Sequence, residues 1–284
     1  MIGLEEGGVI ASLLVASIPL LSIRQKMRLD SLIAARTLEL EEENRRKTQE
    51  LEQARQLQLA MLPQTAPELP HLEIAWYMET ATEVGGDYYD YSLAEDGTLT
   101  VALGDATGHG MQSGVVVTAT KSLFQSMADT PGIVETFTAM AHSIRGLNLE
   151  RLHMAMAMVK IEDYKLRLSS AGIPPLLLYR ADTHTIEEIL VAGMPIGSSA
   201  SFPYRQEEFD LHPGDTLALM TDGLPERLNP REEEFGYPRT CELFAEAAEL
   251  APGEICRCLT QGGEEWAKGK PQDDDITFVV IKMK

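Results

Sequence analysis

Leu99-Thr100-Val101-Ala102-Leu103-Gly104-Asp105-Ala106-Thr107-Gly108-His109-Gly110-Met111-Gln112-Ser113-Gly114-Val115-Val116-Val117 decides how the rest of this chain is read. It describes an apolar strand that runs out at Asp105, a tight turn of small residues, and then a helix. A carboxylate at a strand end, beside glycines that admit close backbone approach, suits a hard cation or a phosphate. The Gly-x-x-x-Gly-x-Gly spacing is neither Gly-x-Gly-x-x-Gly nor a phosphate loop ending in Gly-Lys-Ser/Thr, so the nucleotide-binding mechanisms are not indicated. Taken alone, the glycines describe only a turn.

The surrounding composition narrows the choices. With 284 residues the chain holds one large domain plus extensions. Its net charge of −20 is unevenly spread: residues 1–63 carry 9 acidic and 8 basic side chains, leaving 35 acidic and 16 basic to residues 64–284. That balance argues against a nucleic-acid surface, which needs clustered Lys and Arg. The three cysteines, Cys241, Cys256 and Cys258, are too few and too close for a disulfide framework, and Cys-x-Cys without nearby His is poor zinc spacing. Reduced structural thiols in a cytosolic compartment are expected.

Upstream of the opening stretch the chain changes character twice. Gly7–Ile23 is almost wholly apolar, with Glu5 and Glu6 before it and Arg24, Lys26 and Arg28 after. At about 17 residues it is at the short limit for a membrane span. Residues 1–28 are expected to be a membrane anchor, a position that also fits the last span of a longer, truncated sensor. The basic flank places the C-terminal side in the cytoplasm of a bacterial inner-membrane protein. If the run does not span, the protein is cytoplasmic. Residues 29–63 lack Gly and Pro until Pro63 and are dense in Glu, Arg, Gln and Leu. Ile33, Leu40, Lys47, Ala54 and Met61 recur at seven-residue steps, which predicts a helical coiled-coil linker and a parallel homodimer through the N-terminal helix. Residues 64–284 form the remaining domain, entered through Pro63, Pro67 and Pro70.

In that domain short apolar or alternating runs, Leu72–Tyr77, Asp87–Ser92, Leu99–Leu103, Met154–Ile161, Leu166–Ser169, Leu176–Tyr179, Thr216–Met220 and Ile276–Ile281, read as strands. Helical patterns lie at Met111–Ala128, Ile133–Leu147, Thr240–Leu250 and Gly253–Lys268. Strands in clusters and helices in pairs predict an α+β domain of layered antiparallel sheets and helices, not a βαβ repeat.

Three further acidic sites share the setting of Asp105. Asp87 follows Gly85-Gly86 at the start of a strand, Asp222 ends the strand Thr216–Met220, and Asp274 sits in the Asp273-Asp274-Asp275 run that opens the last strand. A single Asp beside Gly is ordinarily a turn residue. Four at strand termini can meet on one rim of a sandwich, where carboxylates repel unless protonated or neutralised by cations. Oxygen donors without His or Cys point to Mg²⁺ or Mn²⁺, not zinc.

The ordered set Glu83-Val84-Gly85-Gly86-Asp87-Tyr88-Tyr89-Asp90, Gly104-Asp105-Ala106-Thr107-Gly108-His109-Gly110, Ala171-Gly172-Ile173-Pro174-Pro175, Gly193-Met194-Pro195-Ile196-Gly197, Gly214-Asp215 to Thr221-Asp222-Gly223 and Asp274-Asp275-Ile276-Thr277 resembles the PPM (protein phosphatase 2C-like) superfamily. More closely, it resembles the SpoIIE-like serine phosphatases of bacterial partner-switching, over about residues 50–284. The resemblance implies an α-β-β-α sandwich, two antiparallel sheets flanked by helices, preceded by a long N-terminal helix. It implies two Mn²⁺ or Mg²⁺ ions per site. Asp105 would bridge them, with the Ala106 backbone carbonyl as a further ligand, Asp87 on one metal, and Asp222 and Asp274 on the other. Asp275 is the competing choice in the last motif. The implied reaction is phosphoserine hydrolysis by metal-activated water, the substrate a phosphoprotein of the STAS-domain anti-sigma-factor antagonist class. His109 is either an acid for the leaving serine oxygen or a part of the turn. The segment Ala54–Pro63 resembles the family's regulatory linker helix, with Leu57, Met61 and Leu62 as its packing face. The chain departs from the family pattern at Ile173, where His is usual, and at Ser113-Gly114, where alanines are common. Two rival functions are a non-catalytic signalling module of the same fold and a metal-dependent phosphoesterase for small molecules.

Overall fold

The computed structural model describes all residues except 1–2, 109, 131, 149–151 and 200, with side chains from Gln25 onward. Helix α1 (Gly3–Met61) opens the chain. It is followed by β1 (Leu72–Glu79), β2 (Asp87–Leu93), β3 (Leu99–Ala106), α2 (Met111–Met127), α3 (Ile133–Gly146), β4 (Met154–Glu162), β5 (Lys165–Ala171), β6 (Leu176–Arg180), β7 (Thr185–Ile189), β8 (Glu207–Asp210), β9 (Thr216–Met220), α4 (Tyr237–Ala247), α5 (Pro252–Ala267) and β10 (Ile276–Met283). Residues 1–53 form one unit and Ala54–Lys284 a second, compact one.

The compact unit is a sandwich of two five-stranded antiparallel sheets, ordered β1-β10-β9-β6-β7 and β2-β3-β4-β5-β8. Helices α2 and α3 cover the second sheet; α4 and α5 cover the first. The first sheet is therefore an inner layer with apolar partners on both faces. Strand geometry sends alternate side chains to opposite faces, and β10 shows both destinations. Val279, Ile281 and Met283 enter the core between the sheets, whereas Ile276, Phe278 and Val280 pack under α4 and α5. β9 divides likewise, with Leu217 and Leu219 facing one way and Ala218 and Met220 the other. Strands buried on both faces need unbroken apolar runs, which is why these stretches do not alternate. One flank of the sandwich is closed by Trp76 of β1 against Tyr89 and Tyr91 of β2, at ring-centroid distances of 5.4 and 5.9 Å.

The sequence pattern left out β7 and β8. Their sequences, Thr-Ile-Glu-Glu-Ile and Glu-Glu-Phe-Asp, are mostly charged because each is an edge strand with one side to solvent. Charged edges prevent pairing with other chains and erase the apolar signal used to find strands. Helix α4 also starts earlier than its pattern indicates, at Tyr237 instead of Thr240.

In α1, Ile33 and Leu40 of the seven-residue seam are 55% and 46% exposed. Lys47, also in that seam, forms an ion pair with Glu43 at 2.8 Å. The expected membrane anchor at residues 7–23 lies outside the residues whose side chains are described. Among the described residues no helix is long and apolar enough to cross a membrane.

Candidate functional site: an acidic rim at the strand ends

Asp87 and Asp105 are directly opposite each other in the register of β2 and β3. Asp87 is also where the two sheets meet. Its Oδ2 accepts hydrogen bonds from the hydroxyls of Thr221 at 2.8 Å and Thr277 at 2.5 Å. Thr221 directly follows β9, and Thr277 lies near the start of β10. The Thr221 N–H donates to the Thr277 carbonyl, continuing the β9–β10 ladder to the rim. This places Asp222, the next residue, and Asp274, just before β10, at the same end of the sandwich. Gly223 lets the two loops touch, since a Cβ there would stand 1.9 Å from the Asp275 carbonyl oxygen.

The charges report the convergence. Burial pushes the Asp105 carboxyl up to about 7, aided by the negative charges of Asp222, Asp274, Asp275 and Glu226. Asp87 lies well above the ordinary carboxylate range, first through burial and next through the charge of Asp105. The hydroxyls of Thr277 and Thr221 act against that rise by bonding the ionised form. Glu226, one turn beyond Asp222, is raised by burial, Asp222, Glu234 and Asp274.

Asp275 has a different task. Its Oδ1 accepts from the Ala81 N–H at 2.7 Å, and its Oδ2 from the N–H groups of Gly86 at 2.6 Å and Asp87 at 3.3 Å. It therefore ties the loop before β2 to the start of β10. Gly86 in turn accepts from the Ala106 N–H at 2.9 Å. A Cβ on Gly86 would stand 2.9 Å from the Ala106 carbonyl oxygen and 3.1 Å from that of Gly108. The absent side chain leaves these carbonyls and the Asp105 carboxylate facing one cradle.

The donors suit a hard divalent cation: they are carboxylate and carbonyl oxygens, and the excess negative charge on Asp105 and Asp87 is what such an ion relieves. Among the described residues no three His, Cys, Asp or Glu side chains stand as a closed metal-holding group.

Two of the sequence expectations meet the structure differently. His109 lies outside the described residues. Of the three residues expected on the packing face of the linker helix, Leu62 is buried and Met61 half-buried, but Leu57 is 69% exposed. That is a correction: Leu57 edges an apolar groove of about 510 Å³ shared with Met61, Val84, Met111, Val115 and Leu147, and does not fill the core. The helix turns its carboxamide residue Gln58, not Leu57, into the domain. Ile173, where the family pattern has His, is a core residue. Sequence reasoning missed Thr221, Thr277, Glu226 and Gln58. The available signal for the threonines was a buried hydroxyl within β10 or directly after β9, strands buried on both faces, which must find a partner.

An antiparallel two-sheet sandwich with acidic strand ends meeting on one rim defines a protein phosphatase 2C-like fold. Residues 95–284 match the family described as "Stage II sporulation protein E (SpoIIE)", and the chain belongs to that family of serine phosphatases. It is 25% identical over 264 residues to Protein IcfG of Synechocystis, covering 82% of this chain but 41% of that one. It is 23% identical over 248 residues to the phosphoserine phosphatase RsbU of Bacillus subtilis, covering 83% and 70%. Its fold is similar to the SiaA PP2C domain of Pseudomonas aeruginosa, with a TM-score of 0.75 at 23% identity over 85% of this chain and 98% of that one.

Proposed function

We propose that the protein is a divalent-metal-dependent phosphatase that hydrolyses phosphoserine on a signalling protein. The observation that carries this reading is the opposition of Asp87 and Asp105 at the rim, with the carboxyl of Asp105 raised to about 7 by burial and, after it, by its acidic neighbours. Asp105 would bridge two Mn²⁺ or Mg²⁺ ions with the Ala106 carbonyl beside it. Asp87 would serve one ion, and Asp222 and Asp274 the other. Asp274 is favoured over Asp275 because both Asp275 oxygens already accept backbone N–H groups. When bound, the cations supply acidified water for attack on phosphorus and offset charge on the phosphoryl oxygens.

The chain's own residues then do three things. The Thr221 and Thr277 hydroxyls fix one oxygen of Asp87 and leave the other for a cation. Asp275 holds the turn that presents Asp87. His109 is the candidate proton donor to the leaving serine oxygen, or a turn residue. With a net charge of −20 the protein repels an anionic phosphoprotein at long range, so cation charge at the rim also serves binding.

The printed name of RsbU, a phosphoserine phosphatase, supports a phosphoserine substrate, and the resemblance of the motifs to the partner-switching phosphatases makes a STAS-type anti-sigma-factor antagonist the substrate we propose. The exposed Ile33 and Leu40 seam of α1 fits a parallel homodimer, and the apolar run at residues 7–23 fits an inner-membrane anchor with the catalytic domain in the cytoplasm. Mn²⁺-dependent release of phosphate from a phosphorylated STAS protein, lost in Asp105→Asn and Asp222→Asn, is the expected result. No metal-dependent turnover of any phosphoprotein or of p-nitrophenyl phosphate removes the enzyme reading. Turnover confined to small phosphates removes the protein substrate.

A further inference from the structure

Next to the acidic rim lies a notch of opposite character. It encloses about 460 Å³ and is bordered by Arg145, Asn148, His153 and Ser198, with no carboxylate in its lining among the described residues. The β3–β4 ladder sets its place. Ala106 pairs with Met154, and Thr107 makes the next step: its N–H donates to the His153 carbonyl at 2.9 Å, and its hydroxyl to the same oxygen at 3.3 Å. His153 therefore lies across from the residue two beyond Asp105. One strand spacing and two residue rises put their backbones roughly 8 Å apart.

Two groups in the notch are unspent. Arg145 is exposed in the last turn of α3, and its recorded hydrogen bond is one from Nη1 to the Ser198 carbonyl at 3.3 Å. Most of its five-donor fork stays open. His153 is half-buried, with Nδ1 sealed from solvent and without a hydrogen-bond partner among the described residues. That leaves Nε2 as the polar edge the ring can offer to the notch. Other cations of the domain are committed: Lys121 to Asp90, Arg180 to Asp215 and Glu187, and Lys270 to Glu232. On a chain of net charge −20, an open guanidinium beside the reaction centre stands out.

We infer that the notch receives an acidic side chain of the phosphoprotein, an Asp or Glu two or three residues from the phosphoserine, with Arg145 as its main contact. An extended peptide advances about 3.3 Å per residue, so two to three residues cover the interval. A guanidinium fork takes a carboxylate through two parallel hydrogen bonds, which fixes orientation as well as adding affinity. Such local complementarity sets the register of an anionic substrate on an anionic enzyme. The inference rests on the phosphoserine reading above and adds what that site prefers beside the phosphoserine. A helix dipole alone favours a cation in its last turn, and a purely structural Arg145 would leave substrate preference untouched.

The test compares kcat/KM of the full chain with Mn²⁺ on phosphoserine peptides that are neutral apart from the phosphate and carry Asp, Ala or Lys two or three residues to either side of it. In the wild type, Asp at one of these positions is expected to raise kcat/KM over Ala by about 10-fold, the scale of a hydrogen bond to a charged group, and to do so through KM. In Arg145→Gln the Asp-to-Ala ratio at that position falls to about 1, and in Arg145→Glu the preference passes to Lys. Partial unfolding of a variant lowers all peptides together and cancels in the ratio. No preference for Asp at any position in the wild type overturns the inference, and so does a wild-type ratio in Arg145→Gln or Arg145→Glu. Hydrolysis of none of the peptides by the wild type is a separate result: the phosphoserine reading has then failed and the inference falls with it.

Discussion

Four aspartates in this domain show two ways of keeping a carboxylate in a fold. Asp90 and Asp215 are buried and fully partnered. Asp90 Oδ2 takes hydrogen bonds from Lys121 at 2.7 Å, Tyr88 at 2.9 Å and Gln125 at 3.0 Å, tying β2 to α2. Asp215 receives Arg180 at 3.0 Å together with the N–H groups of Ala181 and His212, closing the turn before β9. Asp87 and Asp105 have no cationic side chain within ion-pair distance among the described residues, and they face each other. A buried charge without a partner is expensive, and two of them side by side more so. The first pair stabilises the fold. The second costs stability, and a fold keeps such a pair where an external cation completes it.

The largest effect that can break this contrast is on catalysis. Asp105→Asn should lower metal-dependent phosphatase turnover by about 10³-fold or more, the scale of losing several kcal/mol of charge stabilisation. The same substitution should raise the melting temperature of the metal-free protein, because it removes an uncompensated charge. Asp215→Asn should do the reverse. Breaking one side of a buried pair costs about 3 kcal/mol, visible as a lower midpoint in urea, while turnover per folded molecule stays at the wild-type level. Asp215→Asn proteins that fold normally but do not turn over substrate would dissolve the distinction.

Thr277→Val sharpens the contrast within the rim. It keeps the shape of the side chain and removes one of the two hydroxyls that fix Asp87. Mn²⁺ affinity should fall about 10–100-fold, read as a higher Mn²⁺ requirement, with fold stability in EDTA close to wild type. Unchanged Mn²⁺ dependence would mean that the hydroxyls satisfy Asp87 without orienting it.

The strong periodic elements were legible from the chain alone, and the weak ones were not. β3, β4, β9 and β10 announce themselves because burial on both faces demands apolar runs. β7 and β8 are silent because an edge strand is selected to look polar. The acidic strand ends were visible as a repeated setting, Asp beside Gly at a strand terminus. Asp274 was preferred to Asp275 on the motif alone; what the sequence did not show is that both oxygens of Asp275 accept backbone N–H groups from the far-off loop before β2. Gln58 was hidden for the opposite reason. On a helix rich in Gln, Glu and Arg, one more polar residue gives no sign that it points inward. The resemblance to a regulatory linker helix named Leu57 for the packing face, whereas the buried residue is the one after it, Gln58.

The smallest expected effect is on the pH dependence of stability, and it comes from the rim carboxyl. Asp105 titrates near 3.8 in the unfolded chain and at about 7 in the fold. Across that window the native state holds the proton more tightly, so stability is highest below the unfolded value and declines as pH rises through about 7. The metal-free protein should therefore melt a few degrees lower at pH 8 than at pH 5 by calorimetry in EDTA. The high negative charge of the domain pushes in the same direction, so the decisive quantity is the difference from Asp105→Asn. That variant should lose part of the pH dependence, and saturating Mn²⁺ should flatten it in the wild type by replacing the proton. Equal slopes in the two proteins would show that the rim carboxylate is no worse off in the fold than in water, and the case for a cation there would lose its electrostatic ground.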